Sequence, residues 1–252
     1  MRSAIYTAAA LGAVIILWQV IVSLTGLPGY ILPAPIKVLD TLWNSRALIA
    51  EHASVTLLEV VIGLVIGAGL GVITAIQLAM SPSARLFLRP ILVFSQALPV
   101  FALAPILTLW LGYGLGSKIA MAVLIIFFPV TSAFFDGLMN TPRGYLDLAQ
   151  TMGASTRHIM LKIRIPAALP SLASGLKLAA VYAPIGATIG EWVGVPITEP
   201  SLGSLISNGF DFILSGAYWI TFFPGIMLLA TVAAINIFGD QLRNIFNPRL
   251  SR

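Results

Sequence analysis

Few side chains in this sequence are equipped to make or break a covalent bond. Cysteine is absent, which removes thiolate nucleophiles, thiolate metal sites and disulfides. Two histidines, His52 and His158, are too few for a histidine-rich metal cage. Ser155 and His158 resemble a hydroxyl–imidazole pair, but they lie in a basic segment, outside any apolar span that could enclose a water-filled protease cavity. Gly112, Gly114 and Gly116 have a spacing loosely like a nucleotide loop; with no strand before them they read as a turn. No Gly-Lys pair occurs, so no P-loop can hold phosphates. What remains is a small set of carboxylates in apolar surroundings: Glu59, Asp136 and Glu191. A buried charge costs several kcal/mol unless it is paired or hydrated, so each needs a reason to be there. Covalent catalysis is not one of them, and the chain is read as having no enzyme active site of its own.

The elements that position these groups follow from composition. Of 252 residues, 58% are apolar and only 9% charged, against about 25% charged in a soluble domain. Mean hydropathy is +0.98. Such a chain cannot cover a soluble surface, and it is too apolar to be disordered. It reads as an all-α polytopic membrane protein. Stretches free of charge are long enough for six spans of about 20 residues, expected at 4–26, 54–79, 86–111, 117–139, 168–194 and 213–238. The first is read as a retained helix, because its uncharged run exceeds a signal-peptide core and shows no convincing cleavage site. No connection is long enough for a second folded unit, so residues 1–252 are expected to form a single transmembrane domain. In the connection 27–53, Pro33 and Pro35 precede an amphipathic interfacial helix with Val38, Leu39, Leu42 and Trp43 on its apolar face.

Net charge is +5. With the N-terminus inside, ten basic residues fall on the inner side and three, Lys37, Arg46 and Lys118, on the outer side. That asymmetry places both termini in the cytoplasm and explains the basic balance without nucleic acid. Gly63, Gly67 and Gly71 have the small-xxx-small spacing of closely packed membrane helices. Pro99, Pro105 and Pro129 interrupt helices locally, chiefly as packing devices.

The inner connection 140–167 is the most informative segment. Asp147, Ala149, Gly153, Ile163, Ile165 and Pro166 keep the spacing of the "EAA" loop, with Asp for Glu, Leu148 for Ala and Ile165 for Leu. The chain thereby resembles ABC importer permeases. Ile31–Pro35, Gln96–Val100, Ala104–Ile106, Leu111–Gly114 and Gly190–Gly194 resemble the nitrate/sulfonate/taurine permease group within them. Pro184–Gly194 and Phe127–Pro129 are similar to permeases for pyrimidine precursors of thiamine. Val195–Ile206 departs from the group, with Ser201-Leu202-Gly203 where Gly-Leu-Gly is usual.

This resemblance implies a type I ABC importer-like fold with a cytoplasmic coupling helix, in a bacterial inner membrane. It implies a partner set as well: a second copy of the chain, two ATPase subunits that bind ATP and Mg, and a periplasmic or lipid-anchored substrate-binding protein, all within membrane lipid. Coupling is expected at Asp147, Ala149, Gly153, Ala154, Arg157, Ile163 and Pro166. In physical terms, Asp147 is expected in the first turn of a short helix, where the dipole favours a carboxylate. Ala149 and Gly153 are expected on one face, open to a partner, and Pro166 at the start of the next helix. Candidate pathway or gate residues are Gln96, Pro99, Pro184, Gly186 and Glu191. For Glu191 two roles stay open: contact with the solute path or binding protein, or a hydrogen bond holding the outer loop. The implied cargo is a small organic solute, a pyrimidine-type precursor or else a sulfonate, taurine or nitrate. An ion-coupled secondary transporter is the alternative of a different class; it is disfavoured because inverted repeats are not evident and mid-membrane acids are scarce.

Overall fold

The computed structural model describes residues 2–29, 31–95, 100–193 and 201–246, and within them every regular element is helical. The elements are α1 (Arg2–Thr25), α2 (Pro35–Asn44), α3 (Arg46–Met80), α4 (Pro82–Ser95), α5 (Val100–Leu111), α6 (Leu115–Met139), α7 (Arg143–Thr151), α8 (Thr156–Ile159), α9 (Ile165–Val193), α10 (Leu202–Phe212) and α11 (Trp219–Phe246). Four described helical runs have the length and apolar character to cross a membrane: Arg46–Met80, Leu115–Met139, Thr156–Trp192 and Trp219–Gln241. Gly12–Thr25 and Ala102–Leu111 are shorter apolar helices.

The expected spans 54–79, 117–139, 168–194 and 213–238 are matched by these four runs, and 4–26 and 86–111 by shorter apolar helices, with two particulars. In the stretch 86–111 the described residues on either side of 96–99 are helical, as α4 and α5. Pro90 and Pro105 within them each remove a backbone donor. Second, α3 begins at Arg46, eight residues before the expected start. At 1.5 Å per residue its 35 residues reach about 52 Å, well beyond a hydrocarbon core of about 30 Å. The connection 195–212 also contains a helix, α10, where only a loop was expected.

Lipid-facing helices gain little from the hydrophobic effect on meeting each other, so close approach must supply the packing. The bundle is built accordingly, with α6 between α3 and α9. On one side Gly63, Gly67 and Gly71 of α3 face Ala122, Ile126 and Val130 of α6. A Cβ at those glycines would stand 2.6, 2.8 and 3.0 Å from these side chains. On the other side, Gly175, Gly186 and Gly190 of α9 meet Ala133, Ala122 and Lys118 just as closely. The packing reading of the α3 glycines holds. The centre is filled by small residues, Ala122, Ala179, Ala183 and Ala187, with Val60, Ile126 and Val130. A second cluster, Leu78, Phe134, Leu138, Met160 and Ala168, closes one end of the bundle.

The interfacial helix α2 starts after Ala34, with Pro35 in its first turn. Its apolar residues do not share one packed face. Val38 turns inward to Ile49, Tyr218 and Phe223, while Leu39, Leu42 and Trp43 stay exposed and the Arg46 guanidinium lies 4.5 Å from the Trp43 ring. Gly112 and Gly114 form the short turn between α5 and α6.

Candidate coupling loop and outer polar cluster

At one end of the bundle, α7 and α8 form a compact loop fixed by backbone geometry. The residue Gly153 has φ +75°, a left-handed conformation that suits glycine. Its N–H donates to the carbonyl of Gln150 at 2.9 Å, and the N–H of Ala154 donates to that of Ala149 at 2.9 Å. This pair of bonds is a Schellman ending for α7. The Ser155 hydroxyl then accepts from the N–H of His158 and caps α8. Ser155 and His158 thus serve the backbone, and both remain exposed.

Three local expectations are corrected here. Helix α7 begins at Arg143, so Asp147 lies in its second turn, past the reach of the N-terminal dipole. Ala149 and Gly153 do not share an open face. Ala149 is buried, at 7% exposure, whereas Gly153 lies beyond the helix in open space, where a Cβ would meet nothing within 4 Å. Glycine is required there by its backbone angle rather than by a close neighbour. Finally, Pro166 does not start a helix. A π-turn, Met160–Arg164, joins α8 directly to α9, and Pro166 sits at the second position of α9. A proline has no N–H to give the preceding turn, and a widened turn accommodates that loss. The result is one helical run from Thr156 to Trp192.

Around this loop, Asp147 and Arg157 are exposed, Ala154 and Ile163 half-buried. Tyr145, Leu148 and Met152 project apolar side chains outward from α7 and its ending, with Met152 78% exposed. The loop is anchored below by Ile159 and Met160, which are buried. Arg85 supports the same end. Its Nε and one terminal nitrogen donate to the carbonyls of Leu78 and Ala79 at 3.2 and 3.3 Å, satisfying the end of α3. The guanidinium also stands 5.7 Å from the Phe135 ring.

The opposite end of the bundle holds a buried polar cluster. Lys118 and Glu59 are both fully buried and form an ion pair at 3.2 Å. Lys118, counted on the outer side at the start of the expected span 117–139, lies in the first turn of α6, and its backbone fits beneath Gly190 of α9. Next to this pair, Glu191 is 2% exposed and accepts from the Thr56 hydroxyl at 2.6 Å and from the N–H of Gly203 at 2.7 Å. The Thr56 oxygen in turn accepts from the N–H of Leu202 at 2.9 Å. His52 Nδ1 is 2.8 Å from the carbonyl of Ser201. Glu191 therefore has the loop-holding geometry, with its carboxylate spent on α3 and α10.

Of the other gate candidates, Gly186 is packed against Ala122, while Pro184 lines an apolar groove of about 440 Å³ between α9 and α11 together with Ile185, Trp192 and Leu229. Gln96 and Pro99 lie outside the described residues, as does most of the departing segment before Ser201. Sequence reasoning missed Thr56, Lys118 and the start of α10. Only the Ser201–Ser204 spacing carried a local signal, since Ser at a cap position marks a helix start. Among the described residues, no group of three or more metal-ligating side chains comes together.

An all-helical bundle of long apolar helices, closely packed at glycines and carrying a structured loop at one end, is the frame of a polytopic membrane protein. Residues 67–252 match the family described as binding-protein-dependent transport system inner membrane component. The chain belongs to that family; it is the permease subunit of an ABC importer, with multiple apolar helices in the inner membrane. A probable ABC transporter permease protein of Haemophilus influenzae is 51% identical over 183 residues, covering 73% of this chain and 75% of its own. A formylaminopyrimidine transport permease protein of Halalkalibacterium halodurans is 40% identical over 180 residues, 71% of this chain and 72% of its own. A solved amino acid ABC transporter with histidines shares the fold, with a TM-score of 0.64 at 17% identity, over 83% of this chain and 97% of that one. ATP is handled in such systems by a partner ATPase, in keeping with the missing P-loop.

Proposed function

We propose that this chain moves a pyrimidine-type thiamine precursor inward by alternating access, as one of two identical permease subunits driven by two separate ATPases. The observation that carries the mechanism is the unbroken helical run from Thr156 to Trp192, about 55 Å long by residue count. One end is the exposed loop and the other is Glu191. Such a rod delivers a displacement of the loop to the outer end with little loss. Asp147, Ala149, Gly153, Ala154, Arg157, Ile163 and Pro166 form or support the loop end. The exposed Tyr145, Leu148 and Met152 supply apolar area for an ATPase surface.

In this reading, ATP and Mg close the ATPase pair, the loops move together, and the cavity between two permease copies opens toward a docked periplasmic or lipid-anchored binding protein. The termini lie in the cytoplasm. Cargo identity is supported by the 40% identity to the formylaminopyrimidine permease. The alternative is a sulfonate, taurine or nitrate cargo in the same machine.

The test is affinity purification of the tagged chain from its native membrane in mild detergent. A co-purifying P-loop ATPase with vanadate-sensitive activity is expected, together with a soluble companion whose thermal midpoint rises with formylaminopyrimidine. A companion stabilised by taurine and not by the pyrimidine overturns the cargo. Uptake that persists without ATP, driven by a proton gradient and with no ATPase partner, overturns the mechanism.

A further inference from the structure

The start of α10 is held in an unusual way. The first four N–H groups of a helix have no partner within it. Here the Ser201 N–H donates to the Ser204 hydroxyl at 3.1 Å, and the Ser204 N–H to the Ser201 hydroxyl at 3.1 Å, a reciprocal capping box. The remaining two donors leave the element altogether. Leu202 donates to Thr56 on α3, and Gly203 donates to Glu191 on α9. Thr56 and Glu191 are themselves bonded, so three helices meet on one hydroxyl and one carboxylate. Gly203 leaves no slack: a Cβ there would run into the Glu191 carboxylate.

All of these residues are buried. One oxygen of the buried Glu191 carboxylate accepts from a hydroxyl and the other from the N-terminus of α10, so both oxygens are tied to neighbouring helices. The same α10 is fixed to α11, where Gly209 lies against the backbone of Ile220 and Thr221. Motion of the outer end of α9 must therefore either carry α10 along or break this junction.

We infer that Thr56 and Glu191 are positioning residues that latch the N-terminus of α10 to α3 and α9, so that the outer segment and the outer end of α9 move as one body. The transport consequence rests on the importer reading above; the latch itself does not.

The chain's lack of cysteine makes the test direct. Leu202 is 1% exposed. Leu202→Cys is introduced as the sole thiol and labelled with a hydrophilic maleimide in nanodiscs holding the transporter as purified. The parent is expected to label slowly. Adding Thr56→Val, which keeps shape and loses both hydrogen bonds, is expected to raise the rate at least tenfold. Thr56→Ser, which keeps the hydroxyl, is expected to restore protection. A bystander role predicts the same slow rate in all three and overturns the latch. A general packing role predicts that Val and Ser both label fast with a lowered thermal midpoint, and this too overturns it. Should Thr56→Val fail to accumulate, Glu191→Gln makes the same comparison, with faster labelling expected and an unchanged rate counting against the latch. Labelling needs neither ATP nor cargo. Absence of a co-purifying ATPase therefore sinks the importer reading and leaves the latch result standing.

Discussion

The two ends of the bundle solve the same problem by different means. Each must end or begin a helix where the chain turns back, and each must leave no backbone group unsatisfied. At the coupling loop the solution is local: Gly153, Ala154 and Ser155 meet bonds from within eight residues of themselves. At the outer cluster a local Ser201–Ser204 box is joined by distant partners, since Thr56 and Glu191 are separated by 135 residues and Thr56 and Leu202 by 146. A local device survives when the rest of the bundle shifts, which suits the loop proposed to meet an ATPase. A distant device exists only while three helices keep their places, which suits a junction that reports their arrangement.

The strongest way to break this contrast is to strip the outer end of its countercharge. Lys118→Met leaves Glu59 buried without its ion-pair partner. Losing one member of a buried pair costs about 3–5 kcal/mol, because the other stays desolvated. The expected outcome is a large fall in the thermal midpoint of the purified chain. Glu59→Gln combined with Lys118→Met is expected to recover most of it. A double variant as unstable as the single one would show that shape, not charge, holds this end.

The middle of the bundle, common to both ends, comes next. Gly67→Ala places a methyl 2.8 Å from Ile126 and 3.2 Å from the carbonyl of Val123. Overpacking of this kind costs about 1–3 kcal/mol. Combining it with Ile126→Ala is expected to return part of the loss, since the intruding methyl then has space. Equal stability of Gly67→Ala and the parent would mean that α3 and α6 separate easily, and a rigid body joining the two ends would lose its support.

The contrast also explains what could be read from residue order alone. The loop was legible because everything that shapes it is contiguous: the interval from Gly153 to Ile163 and Pro166 is a local constraint. Even there, the physical reasons differ from those the spacing implies. Gly153 answers a left-handed backbone, and Pro166 follows a π-turn that no spacing announces. The glycine register of α3 was legible for the same reason, as a period of four along one element. The outer cluster was not. Lys118 adjoins the Gly112–Gly116 turn and counts only as an outer-side charge at the start of a span until Glu59, on another helix, is placed beside it. The helix α10 hid in a connection because, beyond the Ser201–Ser204 capping box, its first donors are met by Thr56 and Glu191 on distant helices.

Gly153 gives a smaller effect that separates two reasons for one residue. A β-branched side chain in the left-handed region costs about 1–2 kcal/mol, whereas asparagine tolerates it. Gly153→Val is expected to loosen α7 and to lower the yield of co-purifying ATPase several-fold, with Gly153→Asn near the parent. If both substitutions abolish ATPase recovery equally, the glycine is there to admit a partner surface and the open space around it is filled in the complex.

The smallest effect compares one residue type at the two ends. Ser155 and Ser201 are both N-caps, and each accepts a backbone N–H three residues on. Loss of such a cap costs about 0.5–2 kcal/mol. Ser155 is exposed, so water replaces its hydroxyl and Ser155→Ala should fall at the low end, near 0.5 kcal/mol. Ser201 is fully buried, donates its own N–H to Ser204 and offers its carbonyl to His52. Ser201→Ala removes the hydroxyl that the buried Ser204 N–H donates to and should fall at the high end, near 2 kcal/mol. Thermal unfolding of the two single variants side by side measures the difference. Equal shifts would mean that water reaches the start of α10, and the distinction between a locally fastened inner end and a mutually fastened outer end would have to be given up.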